Sequence, residues 1–354
     1  MPRFLKKTAC VGAAIAAILV TGVAMAEGGA MDQEIVFIGT NGVRIAGSLM
    51  LPAGPVEGTK VPAMLIVQGS GPTDRNGNQP PGHITDLEKQ IAEKLASLGI
   101  ASLRYDKRGM HANAADMPKN VAALTQFARW DFQVGDAAAA WRFLGAQTGI
   151  DSGRVGVFGH SEGGMIALEL AAGADETHRV RPAAIVLAAT PGRPLGAVLR
   201  DQLEILGRRQ GAPDDINQKL LAISDGAIEH IKATGEIPTG LPPGIAPLYP
   251  AYLRLFLQSL FKLDPIALAQ RVEGPVLLLN GDRDPQVLSM QDAEPLAKAL
   301  KLRAPGSTSI NIIAGASHAL KPSANMDENN HAGPVAPEAM RALTTWLQEI
   351  GWTR

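Results

Sequence analysis

The stretch that most constrains this chain is Val155-Gly156-Val157-Phe158-Gly159-His160-Ser161-Glu162-Gly163-Gly164, followed by the apolar run Met165-Ile166-Ala167-Leu168-Glu169-Leu170. A buried-strand pattern runs straight into G-x-S-x-G, and a helical pattern begins at once. Such a junction forces Ser161 into a strained turn above the carboxyl end of the strand. Gly159 and Gly163 lack the Cβ atoms that would collide as strand and helix fold back on each other. The first residues of the helix leave N–H groups unpaired and available to an incoming oxygen.

The rest of the chain alternates strand and helix patterns around this junction. Gln33–Ile38 and Val43–Met50 are β-rich runs joined across Thr40-Asn41-Gly42, where Asn-Gly supplies the positive φ of a hairpin turn. Val61–Val67 is a continuous apolar run suited to a strand buried on both faces. It ends in Gln68-Gly69-Ser70-Gly71-Pro72. Leu87–Leu98 reads as an amphipathic helix stopped by Gly99, and Ile100–Tyr105 as the next strand, before the charged turn Asp106-Lys107-Arg108-Gly109. That turn reads as an ion-paired brace for the site. Asp131–Leu144 is helical, and Ala183–Ala189 is a further buried strand.

From about residue 191 to 272 the pattern changes to helical and Pro-rich segments only: Ala197–Arg209, Asp214–Ala233 and Tyr252–Lys262, with Asp264-Pro265 opening a last short helix. A block of this kind between two buried strands reads as an inserted helical cap over the sheet edge. The stripe Leu253, Leu255, Phe256, Leu257, Leu260 and Phe261 reads as core packing within it. The strand patterns resume at Pro275–Asn280 and Ser309–Ile313, and Glu338–Ile350 reads as a terminal helix. The fold class is therefore α/β, a doubly wound, mostly parallel sheet whose site lies at the carboxyl edge of the strands.

Three groups reach that edge in the order Ser161, an acid after Pro275–Asn280, and His318 after the last strand. A serine hydroxyl needs a base within hydrogen-bond reach, an imidazole can take and return the proton, and a carboxylate fixes its tautomer. Asp282 and Asp284 both qualify as the acid. Asp284 fits better, because Asp-x-x-Val sets the carboxylate in the loop with Val287 anchoring the far side. His83, His111, His160 and His331 rival His318, but His331 follows no strand and the His160 ring is expected to point away from Ser161. The backbone N–H groups of Ser70, with Gly71 as alternate, and of Glu162 are the candidate donors to an oxyanion.

Gly69–Asn78, Leu103–Gly109, Gly159–Gly164 and Gly281–Val287 together resemble the exported bacterial α/β-hydrolases of the serine-hydrolase group, related to the dienelactone-hydrolase and prolyl-oligopeptidase catalytic domains. The likeness runs from about Gln33 to the C-terminus. It implies a carboxylesterase that cleaves short-chain esters through an acyl-enzyme on Ser161, with Asp284 and His318 completing the set. A serine exopeptidase, a thioesterase or lactonase on the same three residues, and a non-catalytic binding protein are the alternatives. The Glu162 side chain either pairs with a neighbouring cation or biases the site against acidic substrates.

Lys plus Arg number 33 and Asp plus Glu 34, so no basic field exists to hold nucleic acid. The histidines show no metal-ligand spacing, and no cofactor is expected. Met1–Ala26 reads as a secretory signal peptide, with Arg3, Lys6 and Lys7 before an apolar segment and Ala24-Met25-Ala26 as the cleavage site. The mature chain is then a single domain, 27–354, periplasmic or secreted, with no membrane anchor left after cleavage. Cys10, the one cysteine, would leave with the leader, so packing alone must stabilise the fold.

Overall fold

The computed structural model describes residues 23–25, 29–54, 58–173, 180–303 and 307–353. Within the leader reading of residues 1–26 only Val23–Met25 is described, as a short strand; the rest, Cys10 included, lies outside the described residues.

Among the described residues nine strands form one sheet: β1 (Val23–Met25), β2 (Met31–Ile38), β3 (Arg44–Leu51), β4 (Val61–Val67), β5 (Ala101–Tyr105), β6 (Ile150–His160), β7 (Ile185–Ala188), β8 (Val276–Gly281) and β9 (Thr308–Ile313), in the order β1-β2-β3-β5-β4-β6-β7-β8-β9. The first three are antiparallel, β2 and β3 forming the expected hairpin with Asn41 at φ 59. From β5 to β9 every pairing is parallel, so the strand ends that follow Val67, Tyr105, His160, Ala188, Gly281 and Ile313 share one edge.

Period-two alternation divides the central strands between two cores. Leu65, Val67, Val157, Leu187 and Leu278 face one side. There they meet α3 (Trp130–Gly145), α4 (Glu162–Ala172) and α9 (Glu294–Leu302) through Val134, Ile166, Leu168 and Leu296. Met64, Ile66, Phe158, Val186 and Leu277 face the other and meet α1 (Leu87–Ser97) and α10 (Pro337–Glu349) through Ile91, Leu95, Leu343 and Trp346. Neither α9 nor the short α2 (Val121–Phe127) is foreseen in the sequence reading above.

Between β7 and β8 the chain forms α5 (Leu195–Arg209), α6 (Asp214–Thr234), α7 (Arg254–Lys262) and α8 (Pro265–Ala269), whose Asp264 side chain accepts from the N–H groups of Ile266 and Ala267. These helices carry their own small core of Ile228, Ile231, Tyr249, Leu257 and Phe261, against which Leu253 and Phe256 pack, while Leu260 joins the core of the sheet. Gln202 on α5 donates to the Gln286 carbonyl (3.0 Å), and Arg209 pairs with Asp327 (3.1 Å). Both contacts seat the block beside the loops that follow β8 and β9.

Candidate active site

Ser161 stands between β6 and α4 at φ 55, ψ −116, a combination that L-residues rarely adopt. The surroundings determine it. A Cβ on Gly159 would overlap the Gly163 backbone, and one on Gly163 would overlap the Val67 carbonyl. The Ser161 N–H donates to the Ala188 carbonyl at 2.8 Å, which fastens the turn to the end of β7. Glu162 is the first residue of α4, so its N–H has no acceptor within the helix.

The Gly69-Ser70 segment continues β4 past the sheet edge and lies against this turn: a Cβ on Gly69 would sit 3.4 Å from the Ser161 Cβ and 3.2 Å from His160 Nδ1. The Ser70 carbonyl accepts from Thr73 Oγ1 (2.8 Å) and Gln79 Nε2 (3.0 Å). The Asp106 carboxylate secures the far end of the loop, accepting from the Arg75 backbone N–H (2.9 Å) and guanidinium (3.2 and 2.8 Å).

His318 follows β9 and Asp284 follows β8. His318 Nδ1 lies 2.8 Å from Asp284 Oδ2, and Asp284 Oδ1 accepts from the N–H groups of Gln286 (2.8 Å) and Val287 (3.0 Å). The carboxylate, 1% exposed, is thus fixed on both oxygens, and Nε2 is the His318 ring nitrogen that Asp284 does not engage. Asp282 instead accepts from the Gly315 N–H at 2.7 Å and braces the loop that follows β9. The two carboxylates have separate tasks.

His160 departs from expectation. Its ring does not point away from the site: it packs on the His318 ring with centroids 4.8 Å apart, and its Nε2 lies 2.9 Å from the His318 carbonyl. The space beside Gly69, where no Cβ intrudes, admits it. Burial, and the neighbouring His318, push its pKa down to about 3, so the ring is neutral with Nε2–H donating. The Glu162 carboxylate pairs with Lys107 Nζ at 2.8 Å, the cation-paired arrangement of the two considered.

Ser161, His318, Gly69 and Ser70 open onto one cavity of about 70 Å³, also lined by Gln79, His83, Thr85, Glu88, His160 and His331. His83 and His331 stack with centroids 4.4 Å apart, and burial lowers the His83 pKa. Glu88, at the floor, is the group the sequence hid most completely. It is 1% exposed; among the described residues neither carboxylate oxygen has a hydrogen-bond partner. Its closest ionisable contact is His160 Nδ1, 3.7 Å away. Burial raises its pKa to about 7. Among the described residues no cluster of three or more His, Cys, Asp or Glu side chains is arranged to hold a metal ion.

A family model described as serine aminopeptidase, S33, matches residues 82–208. Esterase EstD of Thermotoga maritima is 32% identical over 259 residues, 73% of this chain and 54% of the relative, so the chain spans about half the length of the curated relative it matches. Among solved structures, Est1E from Butyrivibrio proteoclasticus with ferulic acid bound aligns with a TM-score of 0.52 and 15% identity, over 88% of this chain and 98% of that one. A puromycin-hydrolyzing peptidase of Mycobacterium tuberculosis aligns with a TM-score of 0.54 and 21% identity, over 91% of this chain and 40% of that one. At these identities the structural likenesses speak to the fold alone.

Proposed function

We propose, for a chain that has the α/β-hydrolase fold, that it hydrolyses short-chain carboxylic esters through an acyl-enzyme on Ser161. The observation that carries the reading is the 2.8 Å contact between His318 Nδ1 and a doubly anchored Asp284, with His318 and Ser161, on its strained turn, lining one cavity. Asp284 holds His318 in the tautomer that leaves Nε2 basic. His318 takes the Ser161 proton as Oγ attacks the ester carbonyl, and returns it to the departing alcohol. Water then repeats the sequence on the acyl-enzyme and releases the acid. The N–H groups of Ser70 and Glu162 receive the oxyanion in both halves; losing one such donor typically costs about 10²–10³ in rate.

The cavity supports a small acyl group. At about 70 Å³ it is small beside the 300–1,000 Å³ typical of small-molecule clefts. The leader pattern of Met1–Ala26 supports action outside the cytoplasm, in the periplasm or as a secreted protein. The test is hydrolysis of p-nitrophenyl esters of rising chain length beside amino-acid p-nitroanilides, with wild type and Ser161→Ala. Cleavage of acetate and butyrate esters that disappears in the variant, falling steeply at longer chains, is the expected result. Anilide cleavage at comparable efficiency would move the assignment to a peptidase.

A further inference from the structure

Three consecutive charged residues follow β5, and all three are buried: Asp106 at 3%, Lys107 at 6% and Arg108 at 3% exposure. Charges are rarely buried unless paired, and each has a distinct partner. Asp106 holds Arg75, and Arg108 holds Asp136. Lys107 differs, because its ammonium bridges two segments of the site. Nζ donates to the Gly69 carbonyl at 2.7 Å and to Glu162 Oε1 at 2.8 Å.

These are the two residues whose peptides flank the oxyanion position. In a trans peptide the C=O and N–H point in opposite directions, so a cation clamped on the Gly69 carbonyl aims the N–H of the same peptide, that of Ser70, the other way. The neighbouring peptide is pinned separately through the Ser70 carbonyl by Thr73 and Gln79. A positive charge on the carbonyl oxygen also polarises the amide and strengthens its N–H as a donor. On the other side, the same ammonium grips the side chain of Glu162, whose own N–H is the second donor.

We propose that Lys107 is a positioning residue of the oxyanion hole: held between the Gly69 carbonyl and the Glu162 carboxylate, it sets the direction of the Ser70 N–H and its spacing from the Glu162 N–H. The role rests on the acyl-enzyme reading given above. A buried ion pair is weak support for stability, since apolar replacement of both partners is often neutral; the Gly69 contact is what a pair serving stability alone would not need.

The experiment compares wild type, Ser161→Ala, Lys107→Met and the double variant Lys107→Met with Glu162→Gln on p-nitrophenyl acetate, together with the affinity of a trifluoromethyl ketone whose hydroxyl adduct mimics the oxyanion. In Lys107→Met, kcat should fall roughly 10- to 100-fold with KM nearly unchanged, less than for outright loss of a donor, and ketone affinity should fall in parallel. The double variant leaves no lone buried charge, so it carries the test should the single variant misfold. It should remain as impaired, because the Gly69 carbonyl is still unheld. Recovery of kcat in the double variant would reduce Lys107 to a charge partner and overturn the proposal, as would a wild-type kcat in Lys107→Met. Activity retained by Ser161→Ala would bring down the acyl-enzyme reading and this role with it; a dead Ser161→Ala beside an unimpaired Lys107→Met would remove the role alone.

Discussion

Glu88→Gln tests the buried carboxyl at the edge of the site. Glu88 is buried beneath the cavity, among the described residues neither of its oxygens is hydrogen-bonded, and a Cβ on Gly77 would overlap its carboxylate, so the glycine makes its room. Burial carries its pKa from the ordinary 4.5 to about 7, against the pull of its own backbone N–H, with Asp74 adding repulsion and Lys321 and Arg104 opposing it. Between those two values the folded protein keeps a proton that the unfolded chain has released. Its stability therefore falls as pH rises through this window, and the loss is complete above about pH 7. At about 1.4 kcal/mol per pH unit, the full effect is roughly 3 kcal/mol, of which about 2 to 3 kcal/mol lies between pH 5 and 8. The glutamine amide of the variant has no proton to lose in this range. His160 contributes in the opposite sense, since stability rises with pH from about 3 to its ordinary 6.5, but that contribution is common to both proteins and cancels in the difference. Urea unfolding of wild type and Glu88→Gln at pH 5, 6, 7 and 8 should show the variant gaining on wild type by about 2 to 3 kcal/mol across the series. A difference that stays flat with pH would mean that Glu88 ionises as an ordinary surface carboxylate, and would refute the argument from burial.

The two acids after β8 should separate cleanly in kinetics. Asp284→Asn should reduce kcat on p-nitrophenyl acetate by about 10⁴ through the wrong His318 tautomer, whereas Asp282→Asn, whose carboxylate accepts from the Gly315 N–H, should stay within about tenfold of wild type; similar losses in both would contradict the assignment. Arg108→Met should destabilise the fold by roughly 3 kcal/mol, because it removes the cation from Asp136, a carboxylate with 1% side-chain exposure that keeps only the Thr40 N–H as a donor among the described residues (2.7 Å). Pairing it with Asp136→Leu should restore much of the loss in urea unfolding, and no recovery would show that Arg108 acts through its contacts with Phe127 and Phe132 instead.

What the sequence disclosed, and what it withheld, divides along physical lines. Apolar runs such as Val61–Val67 and Val276–Leu279 specify strands locally, and the Gly159-to-Gly163 junction specifies its own geometry, because the partners of each glycine lie within a few residues or on the adjacent strand. Chain order then brings Asp284 and His318 to the same edge as Ser161. The side chains that shape the cavity could not be read this way. Glu88 lies in the first turn of an amphipathic helix, where a carboxylate ordinarily faces solvent and favours the dipole; here the Gly77 loop and His160 lie against it. The His160 ring turns on a gap left by Gly69, 91 positions earlier in the numbering, and no local pattern encodes that absence. Stacking of His83 on His331 joins two polar loops far apart in the chain, each unremarkable alone.

The charged turn after β5 shows how such long-range matching is secured. A loop at the carboxyl edge needs fixed orientation, and apolar packing, being non-directional, supplies area without aim. Asp106, Lys107 and Arg108 supply aim. Through Arg75, Asp106 reaches the Gly69–Asn78 loop and, beyond it, Glu34 on β2. Lys107 ties that loop to the start of α4, and Arg108 ties Asp136 on α3 to the Thr40 carbonyl and to Phe127 at the end of α2. Desolvating three charges in a row sacrifices stability that a hydrophobic turn would have kept. What the fold obtains in exchange is a set of directional contacts radiating from one strand end to the Gly69–Asn78 loop, the start of α4, α3 and the end of α2.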